Sequence, residues 1–177
     1  MPAKQPMIDM MQNGTSDIIY TPKKAVRPLL ELILPYCYAG DMTIWECADP
    51  GESKITEAFK EEGFNVISTD IVTGYDFLEY EPEEEYNMIV TNPPYSIKDA
   101  FINRCFKLKK PFALLLPLTA LEGVRRGKMW SSYGVSLLVL DRRLDFTGKK
   151  ANWFNTSWFI GNFFVDNRLF FASIEKG

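Results

Sequence analysis

Two kinds of apolar spacing alternate along this chain. Val26, Leu29, Leu30 and Ile33 recur at three- and four-residue intervals, which places them on one face of a helix. Thr21 suits the N-cap of that helix and Pro22 its first position, with Pro28 as a kink and Pro35 as the stop. Residues 43–47 then read as a strand and Asp49-Pro50-Gly51 as a turn. Ile55, Ala58 and Phe59 open a second helix that stops at Gly63. Residues 66–69 and 88–91 read as strands, and Ser96 with Asp99 caps a helix whose inner face is Ala100, Phe101, Cys105 and Leu108. The unbroken apolar run 112–116 predicts a strand buried on both faces. A short helix over 119–129 and strands over 135–140, 157–165 and 169–174 follow. Strands alternating with helices predict an α/β fold, a mainly parallel sheet with helices on both faces. The last two strands, joined by a tight Asp166-Asn167 turn, must run antiparallel.

Composition narrows the chemistry. The chain has 177 residues, 46% of them hydrophobic, which suits one globular domain with a core of its own. Residues 1–16 read as a loose arm and 17–177 as a single domain. No apolar run approaches the ~20 residues of a membrane helix, so no membrane partner is expected. Cys37, Cys47 and Cys105 are odd in number and too widely spaced for a zinc motif, so reduced thiols in a cytoplasmic protein are expected. Histidine is absent, which excludes Ser-His-Asp and Cys-His catalysis, and no metal site is expected. The net charge is −3, yet it is unevenly placed: an acidic run at 79–85, then basic clusters further on.

The strand over 88–91 ends at Asn92-Pro93-Pro94-Tyr95. Two prolines stiffen this turn and remove two N–H donors. The Asn92 side-chain oxygen and the Pro93 carbonyl can each accept one hydrogen of an amino group. Tyr95 offers a flat face for a planar ring. Together these suit an exocyclic amine on a flat ring, which is what adenine presents. Asn-Pro-Pro-Tyr at a strand end resembles the catalytic signature of S-adenosylmethionine-dependent amino methyltransferases, above all DNA adenine-N6 methyltransferases.

The resemblance continues through residues 18 to 120. It implies a Rossmann-like methyltransferase fold of seven strands with an antiparallel C-terminal hairpin, and S-adenosyl-L-methionine as cofactor. Tyr20 and Thr21 would lie beside the methionine end of that cofactor. Glu46 would hold its ammonium, with Ala48 and Gly51 in the loop that wraps its amino-acid end. This loop departs from the family pattern, which has two glycines: Ser53 stands near the second position. Asp70, with Ile71 beside it, would hold the ribose hydroxyls. Asp76 would accept from the cofactor adenine, Phe77 would pack on its ring, and Asn92 would adjoin the methyl group.

A target base must leave the stack of a duplex to reach such a site. Tyr95 would stack on it, with Trp153 and Phe154 as candidates for the other face. Arg125, Arg126, Lys128, Lys149 and Lys150 are candidates for phosphate contacts, against the alternative of a solvated surface. DNA is the expected partner, with RNA amino groups or protein glutamine as alternative substrates. No separate target-recognition domain is expected, so target choice is expected to come from loops or from a partner subunit. A catalytically inactive cofactor-fold subunit is the reading from another class.

Overall fold

The structure, a computed structural model, describes residues 21–49, 53–146 and 155–174. Helix α1 (Lys23–Ile33) leads to strand β1 (Thr43–Glu46), helix α2 (Lys54–Glu61) and strand β2 (Asn65–Ser68). Strand β3 (Met88–Thr91), helix α3 (Lys98–Leu108), strand β4 (Phe112–Pro117) and helix α4 (Val124–Tyr133) follow. Strands β5 (Ser136–Leu140), β6 (Thr156–Gly161) and β7 (Leu169–Ala172) complete the order. The expected arm over 1–16 and the site residues Tyr20, Gly51, Lys149, Lys150, Trp153 and Phe154 lie outside the described residues.

All seven strands form one sheet in the order β2-β1-β3-β4-β6-β5-β7. β1 pairs parallel with β2 and β3, β3 with β4, and β5 with β7. β6 runs antiparallel to both of its neighbours, β4 and β5. The sheet is therefore mainly parallel, and β7 runs opposite to β6 as the short link between them requires. β5 lies between those two strands, so the final pair straddles it and does not hydrogen-bond directly. Ser136 at the start of β5 anchors the return loop: its hydroxyl accepts from the Arg168 N–H at 2.9 Å.

The pleat sorts side chains into two cores. Ile44, Val90, Leu115 and Trp158 pack with Leu29 and Ile33 of α1 and Phe59 of α2. Trp45, Ile89, Leu114 and Phe159 pack with Phe101 and Phe106 of α3 and Trp130 of α4. β4 is buried at all six positions, as its continuous apolar run predicts. The three buried indoles among the described residues keep their N–H groups satisfied: Trp45 on the Thr69 hydroxyl and Trp158 on the Ala25 carbonyl, each at 2.8 Å, and Trp130 on the Ala120 carbonyl at 3.0 Å. Gly161 lies against the Phe112 ring, so closely that an added Cβ would sit 2.2 Å from it. Gly161→Ala is expected to lower the unfolding free energy by about 1–3 kcal/mol through overpacking, read by urea denaturation.

Three local expectations are corrected. Thr21 does not cap α1: Pro22 occupies that position with extended backbone, its carbonyl accepting from the Ala25 N–H at 2.8 Å, and Thr21 is buried. Ser96 does not cap α3 either. It lies inside a 3-10 turn, Tyr95–Ile97, and α3 starts after it at Lys98. Asp99 turns instead to Arg126, at 2.8 Å. The helix expected over 119–129 is divided into a 3-10 turn, Leu118–Leu121, and α4, because Gly123 between them takes φ +107°.

Candidate functional site

β1 has β2 on one side and β3 on the other, so the strand order reverses there and a crevice opens beyond the strand ends. Glu46 ends β1 on one side of that crevice, and Thr91 ends β3 on the other. The Thr91 hydroxyl donates to Glu46 Oε1, linking the two strand ends. Glu46 Oε1 also accepts from the Ala48 N–H, and Oε2 accepts from the Ser53 hydroxyl, both at 3.1 Å. The carboxyl is only 1% exposed, and burial pushes it up to about 8 despite these bonds. It is therefore a mostly neutral acid near pH 7.

Ser53 ties this loop to both of its neighbours. It is the N-cap of α2, its hydroxyl accepting from the Ile55 N–H at 3.1 Å while donating to Glu46. Asp49 braces the same loop. Its Oδ1 accepts from the Ser53 N–H at 2.9 Å, and its own N–H donates to the Thr69 carbonyl at 3.0 Å.

Beside this crevice lies a small cleft. Cys47 and Ala48 from the loop after β1 line it, with Asp70 and Ile71 from the end of β2. Asp76 and Phe77, then Pro94, Ile97 and Phe101, close the other side. Asp70 Oδ1 accepts from the Val72 N–H at 2.7 Å, which holds the short turn after β2. Burial, with a smaller push from the Asp49 charge, raises its carboxyl above the usual value. Asp76 Oδ1 accepts from the Leu78 N–H at 2.9 Å. Phe77 stacks on Phe101, ring centroids 4.7 Å apart, so it serves the core and the cleft at once.

Asn92 leaves β3 half-buried, followed by buried Pro93. Pro94 has φ −55° and ψ 123°, and its carbonyl accepts from the Ile97 N–H at 3.1 Å. The proline turn thus brings Pro94 to the cleft wall directly after Asn92. Tyr95 is half-buried and packs against the α3 side of the core, while Lys98 Nζ donates to its carbonyl at 3.1 Å.

Glu46, Ala48, Asp70, Ile71, Asp76, Phe77 and Pro94 are therefore gathered at one edge of the sheet, with Asn92 adjoining. Arg125 and Arg126 lie elsewhere, on a groove between α3 and α4, and Lys128 is exposed on α4. Arg126 is held by Asp99 and by the Ala120 carbonyl at 3.0 Å. Sequence reasoning missed Thr91, Ser53 and Asp49 as members of the site. Thr91 was accessible in principle, since it is the last strand residue before Asn92 and faces the end of the neighbouring strand. Among the described residues no group of three His, Cys, Asp or Glu side chains could hold a metal ion. No described helix is long and apolar enough to cross a membrane.

No family model matches the sequence, and no curated protein matches it. Solved structures do match. The methyltransferase subunit of a type I restriction-modification system from Streptococcus thermophilus superposes with a TM-score of 0.66 at 16% identity. The match covers 98% of this chain and 52% of that one, so the chain spans about half the length of that neighbour. A TehB-like SAM-dependent methyltransferase from Corynebacterium glutamicum gives a TM-score of 0.46 at 14% identity, covering 89% of this chain and 94% of that one. A release factor-specific protein-(glutamine-N5) methyltransferase from Alicyclobacillus acidocaldarius gives 0.43 at 13% identity, over 83% and 96%. The fold of this chain is the Rossmann-like methyltransferase fold.

Proposed function

We propose that the chain is an S-adenosylmethionine-dependent methyltransferase acting on the N6 amino group of adenine in DNA. One observation carries this reading: Asn92-Pro93-Pro94-Tyr95 leaves β3 at the reversal of strand order, and its Pro94 walls a cleft that also contains two acids. The residues present fit the cofactor. Glu46, a buried acid with a raised pKa, suits an ammonium. Asp70 and Asp76 supply acceptors for ribose hydroxyls and an adenine amine, between the apolar faces of Ile71, Phe77 and Ile97.

When bound, S-adenosylmethionine supplies an electrophilic methyl group. The protein's share is alignment and dipoles. The Asn92 side-chain oxygen and the Pro93 carbonyl accept the two amino hydrogens of the target base. That draws the nitrogen towards tetrahedral geometry and makes its lone pair available. Tyr95 supports the ring. The likeness to the Streptococcus thermophilus protein, a methyltransferase subunit of a type I restriction-modification system, supports DNA as the substrate and a partner subunit for target choice.

The direct test treats DNA, RNA and protein with the chain and labelled cofactor, then identifies the product by mass analysis. N6-methyladenine in DNA is expected. Label in RNA or in glutamine alone would replace DNA as substrate, and no label anywhere would remove the activity. Asp70→Ala is expected to weaken cofactor binding roughly tenfold or more by calorimetry, the loss of hydrogen bonds to a charged acceptor.

A further inference from the structure

A second groove, of about 680 Å³, runs between α3 and α4 on the face away from α1 and α2. Both helices start at the sheet edge that holds the site, because they follow β3 and β4. One end of the groove, at Asp99 and Arg126, therefore lies toward that edge, and the other lies roughly 15 Å away, one helix length. Residues 98–133 carry eight Lys and Arg against two acids, Asp99 and Glu122, in a chain whose net charge is −3. Asp99 is neutralised by Arg126. That leaves Arg125, at the start of α4, and Lys107 and Lys109, at the end of α3, as further cations lining the groove. The groove between α1 and α2 is different: Lys23 pairs there with Glu61, and Arg27 with Glu31, so it has no preference for anions.

The far end holds a second feature. Tyr133 is 64% exposed, and its ring lies on Phe106 with centroids 4.6 Å apart and planes at 22°. A stacked partner holds the ring flat while its outer face stays open to solvent. Cations lining a groove beside an exposed aromatic ring are what a single strand of nucleic acid uses: phosphates on the cations, a base on the ring. A duplex keeps its bases stacked inside and has no use for the ring.

We propose that the α3–α4 groove binds single-stranded nucleic acid, with phosphates on Arg125, Lys107 and Lys109 and a base stacked on Tyr133. The proposal rests on the nucleic-acid reading for its partner class, but not on adenine chemistry. It would let a strand that delivers its base to Asn92 continue along the protein's flank.

The test uses fluorescence anisotropy with a labelled oligothymidylate of about 12 nucleotides. Tyr133→Ala is expected to weaken binding at least about fivefold, and Tyr133→Phe to restore it. Lys107→Ala and Arg125→Ala should each reduce the log–log salt slope by about 0.7. Cofactor affinity, read by calorimetry, should stay at the wild-type value in all four variants, since none of these residues lines the cofactor cleft. Wild-type oligonucleotide affinity in a triple Lys107→Ala, Arg125→Ala, Tyr133→Ala variant would overturn the proposal. So would tighter binding of a duplex of equal length, or displacement by polyglutamate as readily as by unlabelled oligothymidylate. The probe contains no adenine, so absent methyl transfer would leave this result standing, and absent probe binding would leave the methyltransferase reading standing.

Discussion

Replacing Asn92 with alanine is expected to reduce methyl transfer by about 10²–10³ or more, the scale of losing one preorganised polar group aimed at developing charge. Cofactor affinity should stay within about threefold of wild type, because the predicted cofactor contacts belong to Glu46, Asp70 and Asp76. The split follows from position. Asn92 comes directly after Thr91, the last residue of β3, and Pro93 and Pro94 fix the path of the chain beyond it. An alanine there keeps the Pro93 carbonyl but loses the second acceptor, so the target amine retains its lone pair in the ring. Asn92→Asp keeps an oxygen acceptor and should retain more activity than Asn92→Ala. Single-turnover rates with cofactor in excess, alongside calorimetric cofactor titration, read both quantities. Wild-type turnover in Asn92→Ala would remove the site assignment.

The second large effect concerns Glu46 and has a proton attached to it. Its carboxyl is raised from 4.5 to about 8 by burial, so near pH 7 it is mostly protonated in the cofactor-free protein. An ammonium placed beside it favours the charged form, so cofactor binding at pH 7 should release close to one proton from the protein. Calorimetry in two buffers of different ionisation enthalpy measures that release. Glu46→Gln should abolish it and weaken the cofactor by roughly thirtyfold or more, as when one partner of a buried charge pair is removed. Stability should move the other way. A group whose folded pKa lies above its unfolded value contributes stability that is complete below the unfolded pKa and lost as pH rises through the folded one. The folded cofactor-free protein should therefore lose stability between about pH 4.5 and pH 8 on account of this residue. Glu46→Gln, which cannot ionise, should be spared that loss, so its melting temperature should gain on wild type across the same range. Equal melting curves at pH 5 and pH 8.5 for both proteins would contradict the assignment.

The elements with strong local signals were legible. The β4 run from Phe112 is apolar without interruption, and the spacing of Leu29, Leu30 and Ile33 fits a helix only. Glu46 and Asp70 could be placed by the strand ends they follow and Asp76 by its pairing with Phe77, and the fold gathers all three on one side of the sheet. What stayed hidden depends on pairings distant in sequence. Ser96 looks like a cap, yet the proline turn imposes a 3-10 turn first and α3 starts two residues later. Asp99 looks like its box partner, yet Arg126 lies across the interhelical gap and is the stronger attraction. Thr91 and Glu46 are 45 residues apart, and only the parallel alignment of β1 and β3 brings their side chains together. The position of β5 between the last two strands could not be read from a tight turn, because the turn specifies direction and leaves adjacency open.

That position has a consequence for how the chain is made. β4 is buried on both faces, and its outer edge is closed by β6, whose first residue comes 39 positions after the last of β4. β5 emerges from the ribosome earlier but has no ladder to join until β6 arrives. During that interval β4 presents an unpaired, wholly apolar border, the kind that recruits strands from other chains. Released chains truncated between residues 141 and 155 should therefore aggregate or retain a chaperone, and chains that include residue 161 should do so less.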